Sequence, residues 1–194
     1  GAVGGDESSI LSRSRFFITN DIIFVMKELL LLNLNNVSHK EAATYTLREA
    51  ARAVVFDKEG KIALLHVTKR NFYKLPGGGI DKGEDKVATV KRECYEEIGC
   101  DVDVIKELGI VTEYNRVISL KQISYGYLIK VIGEKHKPNL TKKEIDDGFE
   151  HVWLTYNDAI IALESNEDGV TGNPYIRQRD LTFLAEAKKY LNKN

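Results

Sequence analysis

The stretch YKLPGGGIDKGEDKVATVKRECYEEIGC, residues 73–100, sets Gly77, Gly78 and Gly79 ahead of a run with helical periodicity. The periodicity predicts a helix over residues 85–98. Val87, Val90, Cys94 and Ile98 share one face of it, and Gly99 stops it. Glu93, Glu96 and Glu97 fall three and four residues apart, within roughly a 100° arc beside that apolar face. Like charges so spaced cost helix stability when nothing balances them. A divalent cation reverses that sign, and an all-oxygen donor set is what Mg²⁺ or Mn²⁺ prefers.

The glycines supply a second half to this reading. Without Cβ atoms, the backbone at Gly77–Gly79 turns sharply and brings its N–H and C=O groups close to a ligand or metal. Pro76 stiffens the entry, and Gly83 allows another tight turn before Glu84. The geometry suits phosphate and metal. It is not the phosphate loop of nucleotide kinases, because no GK[ST] follows.

Outward from this stretch, the chain alternates strand-like and helical segments without a regular βαβ rhythm. AARAVVFD, then a KEG turn, then KIALLHVTK reads as a hairpin. NFYKLPGGG is extended. DVDVIKELGIVTEY and LKQISYGYLIKVI alternate Val, Ile and Tyr with polar residues and read as strands, as does FEHVWLT. HKPNLTKKEIDDG and NEDGVTGNP read as loops. YNDAIIALES and YIRQRDLTFLAEAKKYLNK read as helices, the latter amphipathic. The expected class is α+β, with a mixed sheet sandwiched between helices rather than a doubly wound parallel sheet.

The polar break NNVSHKEAATY separates an N-terminal extension, residues 1–45, from a domain over residues 46–194. The extension opens with GAVGGDESS, which reads as a disordered end. It continues with IIFVMKELLLLNL, an amphipathic helix or strand that packs on the domain or on a partner subunit. A homodimer through this segment is compatible with that reading. Lys27 and Glu28 interrupt the run, and it is too short to span a bilayer.

The 194 residues suffice for one well-buried domain. A net charge of −1 gives no global attraction to nucleic acid or membrane, so neither is expected as a partner. The two cysteines, Cys94 and Cys100, are too few for a disulfide framework and fit buried apolar positions. No Cys/His spacing matches a zinc site, and a reducing, cytoplasmic setting is the simplest expectation.

The spacing Gly78, five residues, Glu84, seven residues, Arg92-Glu93-Cys94, one residue, Glu96-Glu97, one residue, Gly99-Cys100 resembles the Nudix box, GX5EX7REUXEEXGU, at every fixed position. Cys94 and Cys100 stand where the pattern usually has Ile, Leu or Val. The elements around the box, over roughly residues 46–192, also resemble the Nudix fold. The resemblance implies Mg²⁺-dependent hydrolysis (Mn²⁺ as a substitute) of a nucleoside diphosphate linked to another group, with a small nucleotide as substrate. Glu93, Glu96 and Glu97 then hold the metal, with the Gly77 carbonyl as a further ligand. Arg92 orients a box glutamate, Gly78 supports the loop–helix geometry, and Glu84 supports that geometry or a second metal. The general base in the family is a box glutamate or a carboxylate on a later loop. Here that loop offers Glu144, Asp146, Asp147 and Glu150, of which Glu144 is favoured.

Arg52, Arg70 and Lys74 are the candidate phosphate contacts. Arg52 in particular lies among apolar residues and needs a carboxylate or a phosphate. Phe72, Tyr73, Tyr125 and Tyr127 are candidates either for stacking a base or for the core. The array SQPWPFPxS of the NADH type is missing. Arg116 stands where many ADP-ribose hydrolases carry proline, and Tyr114 is out of register for the dinucleoside-polyphosphate type. By elimination the MutT-like group remains, acting on nucleoside or deoxynucleoside triphosphates. ADP-ribose or dinucleoside-polyphosphate hydrolysis is the alternative, and a catalytically silent nucleotide sensor is another.

Overall fold

The computed structural model describes residues 14–19, 22–167 and 173–191. The opening GAVGGDESS and part of NEDGVTGNP, read above as a disordered end and a loop, lie outside the described residues. The strands are β1 (Ser14–Thr19), β2 (Ile22–Leu32), β3 (Thr46–Phe56), β4 (Ile62–Val67), β5 (Phe72–Lys74), β6 (Cys100–Asn115), β7 (Leu120–Lys135) and β8 (Phe149–Leu154). The helices are α1 (His39–Ala42), α2 (Lys86–Ile98), α3 (Lys142–Asp147), α4 (Tyr156–Glu164) and α5 (Asn173–Leu191). The sheet runs β1-β2-β6-β7-β3-β4-β5, with β8 against β4. Its β2/β6 and β3/β7 pairs are parallel and the rest antiparallel, so the sheet is mixed as expected.

The reason β3 reads as AARAVVF without clean alternation is that both of its faces are covered. Ala51, Ala53 and Val55 pack toward α2, with Val90, Cys94 and Ile98. Val54 and Phe56 pack toward α4 and α5, with Leu163, Phe183 and Leu184. Each fully buried Val, Leu, Ile or Phe side chain among them contributes about 1.5–3 kcal/mol. Gly126 in β7 matters here, because a Cβ there would lie 2.3 Å from the Phe183 ring. Its absence lets α5 settle onto the sheet.

Two readings are refined. IIFVMKELLLL is a strand, hydrogen-bonded in parallel to β6, so its backbone is satisfied within the chain's own sheet. HKPNLTKKEIDDG is not wholly a loop: residues 142–147 form α3. Thr141 and Glu144 make a reciprocal capping box at its start, and Gly148 closes it at φ +73°. No helix among the described residues is long and apolar enough to cross a membrane.

Candidate active site

The glycine turn lies along β3. The carbonyls of Pro76 and Gly78 accept from Ala53 N–H and Ala51 N–H, each at 3.0 Å, while Ile80 N–H donates to Glu49 O at 3.1 Å. Gly77 N–H points away from β3 and donates to Glu97 Oε2 at 2.6 Å. Two close approaches fix glycine here. Gly77 sits at φ +129°, and a Cβ on it would meet the Ala51 carbonyl at 2.1 Å. A Cβ on Gly78 would stand 2.2 Å from Glu93 Oε1. Gly78→Ala is therefore expected to displace the Glu93 carboxylate and lower activity about a hundredfold. Because the obstructed atom ends a flexible side chain, the melting temperature should change little; turnover and thermal melts together check this.

Helix α2 delivers the carboxylates. Asp85 caps it, accepting from Val87 and Ala88 N–H at 2.8 and 3.0 Å. Its buried stripe locks the rotation, which turns Glu93 and Glu97 inward to the glycine turn. Glu97 is 2% exposed, and burial pushes its carboxyl above the usual range, against the pull of Lys74. Lys74 Nζ donates to Glu97 Oε1 at 3.1 Å. Burial also raises Glu93, with Glu97 adding to the effect. Glu96 is half-buried.

Arg92 ties the group together. Its Nε and Nη2 donate to the two oxygens of Glu84 at 2.9 and 3.0 Å. Its Nη1 donates to Glu93 Oε1 at 2.9 Å and Glu96 Oε2 at 3.0 Å. Arg92 holds Glu84 down to about 2, helped by the Thr89 hydroxyl. The bidentate Arg92–Glu84 fork makes Glu84 a support for the helix start.

Facing the carboxylates is a cleft of about 300 Å³ that Arg52, Arg70 and Lys74 all line. Arg52 is 5% exposed, and its Nε has no partner among the described residues. Burial and the neighbouring Arg179 lower it to about 10. Arg70 reaches Asp147 at 3.4 Å. Arg48 also lines the cleft, with its guanidinium on Gln122, and sequence reasoning missed it. Its place two residue pairs before Arg52 on the same strand was the available signal.

Glu144 sits on the cleft rim, but its carboxylate folds back to accept from Thr141 N–H and Oγ1 at 2.7 and 2.8 Å. Asp147 also lines the cleft. The aromatic candidates divide differently from a stacking platform: Phe72, Tyr125 and Tyr127 are buried core residues, and only Tyr73 is partly exposed. Beneath the cleft runs a buried polar chain that the sequence did not reveal. Asp180 accepts from Leu75 N–H at 2.9 Å and from Arg179 Nε at 2.7 Å. Arg179 continues to Glu113 at 3.3 Å, and Glu113 to Gln122 at 3.1 Å.

The donor set fits a divalent cation. Carboxylate oxygens are buried where their charge is penalised, and a glycine leaves the space beside Glu93 open. As they stand, no three acidic, histidine or cysteine side chains among the described residues are gathered closely enough to grip one ion. The reason is visible: Arg92 holds Glu93 and Glu96, while Lys74 holds Glu97.

The NUDIX domain model matches residues 46–174, more than half of the sequence. The chain belongs to the NUDIX family. Among relatives, it is 35% identical over 71 residues to an RNA pyrophosphohydrolase of Pelagibacter ubique, covering 35% of this chain and 45% of that protein. It is 31% identical over 97 residues to one of Pseudoalteromonas atlantica, covering 48% and 56%. The chain thus spans about half the length of these relatives. Among solved structures, the NUDIX domain of Shewanella oneidensis NrtR, complexed with ADP ribose, matches with TM-score 0.56 and 18% identity, covering 82% of this chain and 96% of that one. The Caenorhabditis elegans Ap4A hydrolase matches with TM-score 0.52 and 17% identity, covering 75% and 99%. At these identities the structural matches establish the NUDIX fold of the sheet and helices described above.

Proposed function

We propose that this NUDIX protein is a divalent-cation-dependent pyrophosphohydrolase that splits the phosphoric anhydride of a nucleoside 5′-triphosphate. One observation carries the reading: the buried Glu93 and Glu97 share a single cleft with the buried Arg52, whose Nη1 donates to the Ala51 carbonyl at 3.2 Å and whose Nε has no partner among the described residues. Acid to hold a cation and base to hold phosphate are what an anhydride needs on its two sides.

Glu93, Glu96, Glu97 and the Gly77 carbonyl would hold Mg²⁺ or Mn²⁺. When bound, the ion supplies charge neutralisation and a lowered pKa for water. Arg52, Arg48, Arg70 and Lys74 bind phosphate oxygens and orient the chain of phosphates. Arg92 fixes the rotamers of Glu93 and Glu96. Water oxygen bonds to phosphorus, the bridging P–O bond breaks, and the leaving phosphate carries away the electron pair. Glu144, released from its own helix cap, takes the water proton; a box glutamate is the other acceptor.

The names of the relatives favour a second form of the same substrate, the 5′-triphosphate end of an RNA. The test is a hydrolysis screen with Mg²⁺ over nucleoside and deoxynucleoside triphosphates, a 5′-triphosphorylated oligoribonucleotide, ADP-ribose and dinucleoside polyphosphates. A triphosphate should turn over at least about tenfold faster than the others, and a chelator should abolish the rate. Preference for ADP-ribose or a dinucleoside polyphosphate would contradict the substrate assignment. Nucleotide binding without turnover of anything would support the sensor reading.

A further inference from the structure

The two cations on the glutamates are anchored differently. Arg92 is clamped to Glu84 by two hydrogen bonds, at 2.9 and 3.0 Å, as well as to Glu93 and Glu96. Among the described residues, Lys74 hydrogen-bonds no second carboxylate of this kind. Its Nζ donates to Glu97 Oε1 at 3.1 Å and lies 4.6 Å from the centre of the Phe149 ring. Its side chain is 15% exposed and lines the phosphate side of the cleft, whereas that of Glu97 is 1% exposed.

The other oxygen of Glu97 accepts from Gly77 N–H at 2.6 Å. Both oxygens are therefore engaged, and the ammonium already supplies the positive charge that the buried carboxylate requires. A divalent cation taking Glu97 would bring a like charge against Lys74 in a site with little water to screen it. The ammonium sits at the end of a flexible four-carbon stem. A phosphate bound in the cleft beside Arg52, which Lys74 also lines, would offer that charge another partner.

We propose that Lys74 is a mobile counter-ion, which neutralises Glu97 in the free protein and moves onto a substrate phosphate when a divalent cation takes Glu97. The proposal rests on the metal reading given above. Its consequence is coupling: Lys74 opposes cation binding to the free protein and favours it once phosphate is present. Such a coupling is reciprocal between the two ligands.

The test is Mn²⁺ binding to the full chain without substrate, followed by the spin-resonance signal of the free ion, in wild type, Lys74→Met and Lys74→Arg. Met keeps an unbranched stem without the charge, and Lys74→Gln is the second uncharged variant should Met not fold. The uncharged variant should bind Mn²⁺ about tenfold tighter than wild type, while its KM for a nucleoside triphosphate rises about tenfold. Lys74→Arg should bind Mn²⁺ like wild type. Equal or weaker Mn²⁺ binding by the uncharged variant, with wild type binding the ion, would overturn the counter-ion role alone. No Mn²⁺ binding by any of the proteins would overturn it together with the metal reading.

Discussion

Glu97→Gln is expected to lower turnover about a thousandfold while leaving the protein at least as stable as wild type at pH 8. The two effects have opposite signs because Glu97 is a charge placed where the fold does not favour it. Its side chain is almost wholly enclosed, and burial raises its pKa despite Lys74 and the Gly77 N–H. A carboxyl raised on folding contributes stability that is fully present below its unfolded value, near pH 4.5, and is lost as pH rises through the folded value. Glutamine keeps the size and still offers an oxygen to Gly77 N–H, but carries no charge to desolvate. The melting temperatures of the two proteins should therefore converge as pH falls toward 4.5, with the variant equal or higher at pH 8. A variant that melts well below wild type at pH 8 would show that the Lys74 pair outweighs burial. Near wild-type turnover would remove Glu97 from the chemistry.

The largest stability loss is expected from Asp180→Ala. Asp180 is fully buried and Arg179 is 2% exposed. Removing the carboxylate leaves the Arg179 guanidinium short of its nearest counter-charge and the Leu75 N–H without its acceptor. Removing one partner of a buried pair costs about 3–5 kcal/mol. Against the roughly 5–15 kcal/mol total of a typical domain, that is a large share. Urea unfolding should show a clearly lower midpoint, with Asp180→Asn intermediate because it preserves a hydrogen-bond acceptor for Leu75. An unchanged midpoint in the alanine variant would mean that the chain from Asp180 to Gln122 contributes nothing net.

The contrast between these residues explains what was readable in advance. The orientation of Glu93, Glu96 and Glu97 is local: helical period, the Asp85 cap and Gly99 at φ +63° fix it within one element. The contacts of Arg92 are likewise local, since the carboxylates it hydrogen-bonds, Glu84, Glu93 and Glu96, lie within eight residues. Asp180 reaches Leu75 across 105 residues, and Arg179 reaches Glu113 across 66; no periodicity encodes such pairs. The segment IIFVMKELLLL is apolar at both helical and strand spacing, so its state is decided by the edge of β6 that it joins. Tyr125 and Tyr127 satisfy the pattern of an exposed stacking surface equally with that of a core. Only the cover provided by α2 and the sheet decides for the core. Helix α3 was readable, because Thr141 and Glu144 have the capping-box spacing, but it is short enough to be taken for a charged loop. The same capping box occupies the carboxylate of Glu144.

The most direct test of the central claim is a crystal of the full chain soaked with Mn²⁺ and a non-hydrolysable nucleoside triphosphate, with the ion located by its anomalous signal. The account predicts ion density bounded by Glu93, Glu96, Glu97 and the Gly77 carbonyl, with phosphate oxygens on Arg52 and Lys74. Mn²⁺ bound elsewhere, or a nucleotide seated away from this cleft, would contradict it.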